Sequence, residues 1–508
     1  MKISSYINGI FYLCFLFNPS IVGAQSELSA VLTNLYQATG FFAVEQPIIK
    51  VSEYTSIAEY NKEHKIILIN PEIYELCGQL SVPRVDALSV IIGHELAHHF
   101  LENSGGFALN NLSTRKDIER QADVHGLFIA HLAGFKALKA APEVFEKIYS
   151  HFNLKDHTSQ YPHFTERLKT KDVVIETVTQ LVDIFKAGNY LTALGEYNFA
   201  SACYRHITDK HFYFGKELHN NLGVVSTLYA LNVYDEDIDY YLFPLEIDWQ
   251  LRIDKPKLPA DSKVSDSEKR RIRERYLQIA AQSFQIAHQL DPNYETAQIN
   301  LMCVYAMQNQ YAKAEDLWNK LANQYHSNSN IREQLDLILG IVYAKSNRAY
   351  EAMEIWRHLS SSNNKVISYQ ASYNLDILTD EQYKKTKSFI CPTIPATLDN
   401  FRVNKFYSPE IQLLDRIYLQ IKKSSTTTTL FHFENRTTKK VVDIAINNFP
   451  KSFSLSSKLQ KKVRNQSQRF DMLHSSIDQY FLTCKPSGKS FLVNGEGWLI
   501  SEARILGK

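Results

Sequence analysis

The stretch Ile91–Phe100, IIGHELAHHF, places three histidines and one glutamate inside an apolar run. Titratable groups in such surroundings need partners. On a helix turning about 100° per residue, His94 and His98 stand one turn apart and project from one face, where two imidazoles can share one ion. Glu95 lies one residue round and reaches the edge of that site. Ile92, Leu96 and Phe100 fall on the opposite face and are expected to hold the helix to a core. His99 lies off the ligand face and reads as a boundary residue.

Two imidazoles suit zinc, but a catalytic zinc takes three protein ligands and keeps one position open. The third is expected from a second helix, RKDIERQADVHGLFIAHLAG, with Gly134 near its end. On that helix Glu119, Asp123, Gly126 and Ala130 fall close to one face. Gly126 and Ala130 have almost no side chain, so two helices can approach there and bring the Glu119 carboxylate to the ion. Asp123, one turn on, is placed to accept an imidazole N–H from a ligand histidine and fix its tautomer. A lone HExxH arises by chance fairly often; an ExxxD on a following helix makes the combination far more specific.

These residues resemble the gluzincin zinc metallopeptidases, the family of HtpX and the CAAX prenyl endopeptidases. The shared pattern is HExxH, then ExxxD, then GLFIAHLAGF at Gly126–Phe135, within residues 45 to 170. The resemblance implies a zincin-type α+β peptidase domain with one Zn2+ per chain on His94, His98 and Glu119, and Glu95 as general base. Those relatives are membrane-embedded. A signal peptide, a soluble peptidase domain and helical repeats together look most like the BepA-like members, periplasmic proteases with chaperone-like roles at the outer membrane. One departure stands out. The family often carries His-Pro before a downstream Glu-Arg, whereas here the segment is YPHFTERL, with Tyr161 where histidine is usual. Tyr161 or His163 can donate a hydrogen bond to the oxyanion, or take the open zinc position at rest. A structural turn closed by Arg167 accounts for the segment equally well.

At 508 residues the whole chain is long enough for about two to four domains, and a composition of 44% hydrophobic and 22% charged residues suits packed, globular structure. Residues 1–24 read as a secretory signal: Lys2, an apolar Ile7–Phe17, then Val22-Gly23-Ala24 before a mature start at Gln25. The apolar run is too short for an ordinary spanning helix. Secretion to the periplasm or beyond is therefore expected. The peptidase domain is expected over 25–175, with Lys65–Asn70 as an edge strand beside which an extended substrate can lie.

From 176 to 380 small and aromatic residues recur at fixed offsets: Gly188, Gly195, Tyr197 and Tyr204 fit one unit, Gly223 the first helix of the next, Ala280 and Phe284 the second helix of a unit, Tyr305 and Trp318 another, and Gly340, Tyr343 and Trp356 the last. The spacing resembles about four tetratricopeptide repeats, with an inserted loop over about 234–271. Such repeats offer a concave surface for a protein partner. Residues 381–508 read as a small mixed or β-rich domain, with strands in SSTTTTLFHF and on either side of Asn494-Gly495. The whole fold class is thus mainly α.

Charge is uneven. From Phe401 onward 18 Lys+Arg stand against 8 Asp+Glu, an excess of 10, so a net charge of +2 leaves −8 on the first 400 residues. A basic tail suits an anionic partner such as a membrane surface, or contact between the halves; a solvated basic face is the plainer account. Nucleic acid fits poorly, because the tail holds no recognisable motif. Five cysteines remain after cleavage, too few for a disulfide scaffold; Cys391 and Cys484 either pair or stay as separate thiols. Two functions compete. One is a zinc endopeptidase acting on envelope proteins, with the repeats recruiting substrate or partner. The other is a chaperone or adaptor whose peptidase site is regulatory or seldom used.

Overall fold

Asn70 sits where the first sheet hands the chain to its helices. Its side-chain oxygen accepts the Glu72 N–H at 2.9 Å, and Pro71 occupies the first helical turn, where a missing N–H costs nothing. The same side chain donates to the Thr55 carbonyl at 2.7 Å, tying strand, loop and helix together.

The computed structural model describes residues 19–55, 57–103, 115–149, 151–152, 163–193, 196–210, 215–233, 241–245, 265–326, 329–379, 409–414, 416–423, 428–437, 440–448, 491–493 and 498–506. Helix dominates them, with two small sheets. The chain divides into two units, 1–183 with 211–215, and 184–210 with 216–508.

The first unit contains α1 (Pro19–Thr39), β1 (Ile48–Val51), β2 (Ala58–Asn61), β3 (Ile66–Ile69), α2 (Pro71–Gly78), α3 (Arg84–Asn103), α4 (Arg115–Leu132) and α5 (Ala137–Glu143), which runs on into a π-helical turn over Val144–Tyr149. Helix α1 starts ahead of the expected mature start at Gln25, whose amide donates to the Ile49 carbonyl at 2.7 Å. The sheet order is β1-β3-β2, with β1 parallel and β2 antiparallel to β3. The strand read from Lys65–Asn70 is therefore central and has no free edge, so it cannot host an added substrate strand. Strand order depends on pairing across the chain, which the local pattern does not carry.

Helix α3 is the axis of this unit. It packs against α1, α2, α4, α5 and the sheet, and every residue from Asp86 to Ala97 is buried. The two-faced reading of IIGHELAHHF is corrected accordingly: Ile92, Leu96 and Phe100 are buried, but so are His94 and His99. His99 is no boundary residue. Its Nε2 lies 2.9 Å from the Glu45 carbonyl, which can only accept, so this nitrogen donates. Its Nδ1, 2.8 Å from the Tyr60 hydroxyl, then accepts. Burial above all holds its pKa down to about 4, so the ring stays neutral.

The second unit begins within α6 (His163–Ala193) and continues through α7 (Tyr197–Lys210), α8 (Lys216–Val233), α9 (Asp266–Leu290), α10 (Glu295–Met307), α11 (Tyr311–Ala322), α12 (Asn330–Lys345), α13 (Ala349–Leu359) and α14 (Lys365–Thr379). From α7 on, each helix packs on the next, and α8, α10, α12 and α14 also touch in series. Glycine lets an aromatic ring of the following helix lie against the backbone at Gly223 (Phe284) and Gly340 (Trp356). The α10–α11 and α12–α13 turns share one device, an asparagine with positive φ: Asn309 at 59° and Asn347 at 63°. The loop expected to reach about residue 271 ends sooner. The Ser265 hydroxyl accepts the Glu268 N–H at 3.3 Å and starts α9 at Asp266.

Six antiparallel strands follow: β4 (Ile411–Leu414), β5 (Ile417–Lys423), β6 (Thr428–Asn435), β7 (Lys440–Asn448), β8 (Phe491–Val493) and β9 (Trp498–Leu506), in the order β4-β5-β6-β7-β9-β8. Buried Phe433 meets Phe199 of α7 with ring centroids 5.8 Å apart. Residues 1–18, Asn494-Gly495, Cys391 and Cys484 lie outside the described residues. No described helix is long and apolar enough to cross a membrane.

Candidate metal centre

Two glycines set the distance between α3 and α4. A Cβ at Gly126 would stand 2.6 Å from the carbonyl carbon of Gly93 and from the backbone nitrogen of His94. A Cβ at Gly93 would stand 2.8 Å from the Gly126 oxygen. The helix backbones thus touch where the motif begins. A helix-interior glycine is about 1 kcal/mol worse than alanine, so two of them opposite one another mark packing that only glycine allows. Gly126 stood out from the sequence. Gly93 did not, although a glycine inside an otherwise helical pattern was the signal to look for.

This approach brings three side chains together. His94 Nε2 and His98 Nε2 are 3.1 Å apart. The Glu119 Oε2 lies 3.3 Å from His94 Nε2 and 3.7 Å from His98 Nε2. Ligands held about 2.0–2.1 Å from a tetrahedral ion stand about 3.3 Å from one another, so the spacing matches an ion's coordination edges. The described residues contain one such group, His94, His98 and Glu119, able to hold a metal ion.

The protonation pattern points the same way. The Asp123 carboxylate lies 2.8 Å from His94 Nδ1, and both side chains are only 3% exposed. The carboxylate accepts, so Nδ1 carries the proton and Nε2 turns a lone pair toward Glu119 and His98. Burial raises the Glu119 carboxyl pKa. With His94 and His98 as charged donors, their hydrogen bonds and charge outweigh burial and leave the group well below the usual carboxylate range. With Nε2 neutral, its lone pair faces that carboxylate and is repelled unless a proton or a metal cation lies between. The donor set therefore fits a metal ion. Asp123→Ala frees the His94 tautomer, and metal affinity is expected to fall about 10- to 100-fold, as measured by competition with a zinc-sensitive dye.

Glu95 is 7% exposed, and its Oε2 accepts the Tyr60 N–H of β2 at 2.8 Å. This link was missed because a main-chain donor leaves no trace in the residue types. Of the remaining candidates, Tyr161 lies outside the described residues. His163 is the first residue of α6, and its side chain also lies outside them. No family model matches the chain, and no curated protein matches it either.

Proposed function

We propose that this chain is a secreted or periplasmic zinc endopeptidase acting on proteins, with a gluzincin-like, zincin-type first unit and tetratricopeptide repeats that recruit substrate or partner. The observation that carries this reading is the meeting of His94, His98 and Glu119, with Asp123 holding the far nitrogen of His94. Zinc suits two imidazoles and a carboxylate, which leave a fourth position for a reacting molecule. When bound, zinc supplies Lewis acidity, making water a nucleophile near neutral pH and drawing charge from a carbonyl oxygen.

The chain's own groups supply the rest. Glu95 takes the proton of the attacking water and passes it to the leaving amine. The Tyr60 N–H holds that carboxylate in place. Strand β2, not β3, offers the edge for an extended substrate. The Tyr60 N–H points away from β3, and Ala58, two residues back, shares that side. Main-chain pairing there tolerates many sequences, which leaves selection to the helices of the second unit. Their serial packing and paired asparagine turns support the repeat reading. The apolar Ile7–Phe17 run supports export, and envelope protein quality control is the role that suits such a chain.

Metal analysis of the full chain tests this reading. About one zinc per chain is expected, with loss of that zinc in Glu119→Ala. A wild-type chain that takes up no zinc ends it. Bound zinc with no cleavage of casein would transfer the function to the chaperone or adaptor class.

A further inference from the structure

Between α8 and α9 the chain leaves for 31 residues, 234–264, although helices packed side by side need only about 2–8 to connect. Part of this excursion, Tyr241-Leu242-Phe243-Pro244-Leu245, lies against the far end of the helical series. The Leu242 N–H donates to the Asn374 Oδ1 at 2.7 Å, and the Asn374 Nδ2 donates to the Leu242 carbonyl at 3.2 Å. One buried amide of α14 thus reads both main-chain groups of one residue, 132 positions away. Gln370, one turn earlier, donates to the Phe243 carbonyl at 3.4 Å. Tyr241 packs on Trp356 with ring centroids 5.3 Å apart, and Phe243 leans on the same apolar cluster.

An amide that satisfies an N–H and a C=O of one residue recognises extended backbone, whatever the side chain. Rings and aliphatic groups on either side settle in apolar recesses. Repeat proteins use extended concave surfaces of this kind for binding. We infer that residues 241–245 are an internal ligand, occupying a site on α12–α14 that takes an extended aromatic and aliphatic segment of another protein. The tethered segment competes at high effective concentration, so a partner binds only by displacing it. The inference deepens the recruiting role proposed for the repeats, and it is independent of the metal centre.

The test uses the full chain with 236–262 replaced by a short Gly-Ser linker, and a fluorescein-labelled peptide of residues 238–248 as probe. The shortened chain is expected to keep its helical signal and bind the peptide at least tenfold more tightly than wild type. Asn374→Ala in the shortened chain should reverse that gain. As a second route, Leu242→Pro in the intact loop removes the N–H donor and should also raise peptide affinity. No binding by a folded shortened chain overturns the proposal. So does a shortened chain that unfolds while Leu242→Pro gains no affinity, which would make the segment a structural strap. Neither result bears on zinc content, so the reading of the first unit stands or falls separately.

Discussion

Glu95→Gln is expected to lower casein cleavage at least about a hundredfold, toward the upper end of about 10⁴ for a lost general base, while zinc content stays at the wild-type level. The carboxylate is outside the group formed by His94, His98 and Glu119, so its loss removes no ligand. Glutamine keeps the volume and can still accept the Tyr60 N–H, so the helix and β2 remain joined. On the proposed mechanism, what disappears is the ability to hold a proton between water and the leaving amine. Turnover and metal content are measured on the same preparation. Cleavage within tenfold of wild type would remove Glu95 from the chemistry. Zinc lost in step with activity would make it a structural support instead.

Gly126→Val should have the largest effect on structure. The atoms a Cβ meets at 2.6 Å are backbone atoms of Gly93 and His94, which cannot turn aside as a side chain would. The helices must separate, and His94 and Glu119 separate with them. A stability loss of about 3 kcal/mol is expected for overpacking of this kind, read as a lower midpoint in urea. Zinc should also be lost from the fraction that still folds. Gly134→Ala is the control. Gly134 has φ of +86° with nothing near its missing Cβ, so backbone strain alone, about 1 kcal/mol, should appear with zinc retained. Equal zinc retention in both variants would refute the close-approach account.

Much of this was legible in the residues, for physical reasons that differ from place to place. Helices announce themselves by period, so α3 and α4 could be drawn, and with them the convergence of His94, His98, Glu119 and Asp123. Gly126 could be read because a missing side chain is itself a local fact. The order of strands, by contrast, is decided by pairing between distant segments, and β3 moved from edge to centre for that reason. The burial of His94 and His99 was hidden because α3 is wrapped on several sides by elements whose positions no local pattern states. The Tyr60 and Leu242 contacts run through main-chain groups, which every residue but proline carries alike.

The contact of Gly93 with Gly126 holds α3 and α4 within reach of a single ion. The two imidazoles stand on one helix and the carboxylate on the next, so a cation held among them spans the helix pair as a reversible cross-link. Occupancy and folding then become one equilibrium. A free metal concentration a thousandfold above its dissociation constant adds about 4 kcal/mol to the stability of the first unit. On the proposed reading a chelator would act as a denaturant for this unit, and metal supply would govern how long the chain survives as well as whether it cuts.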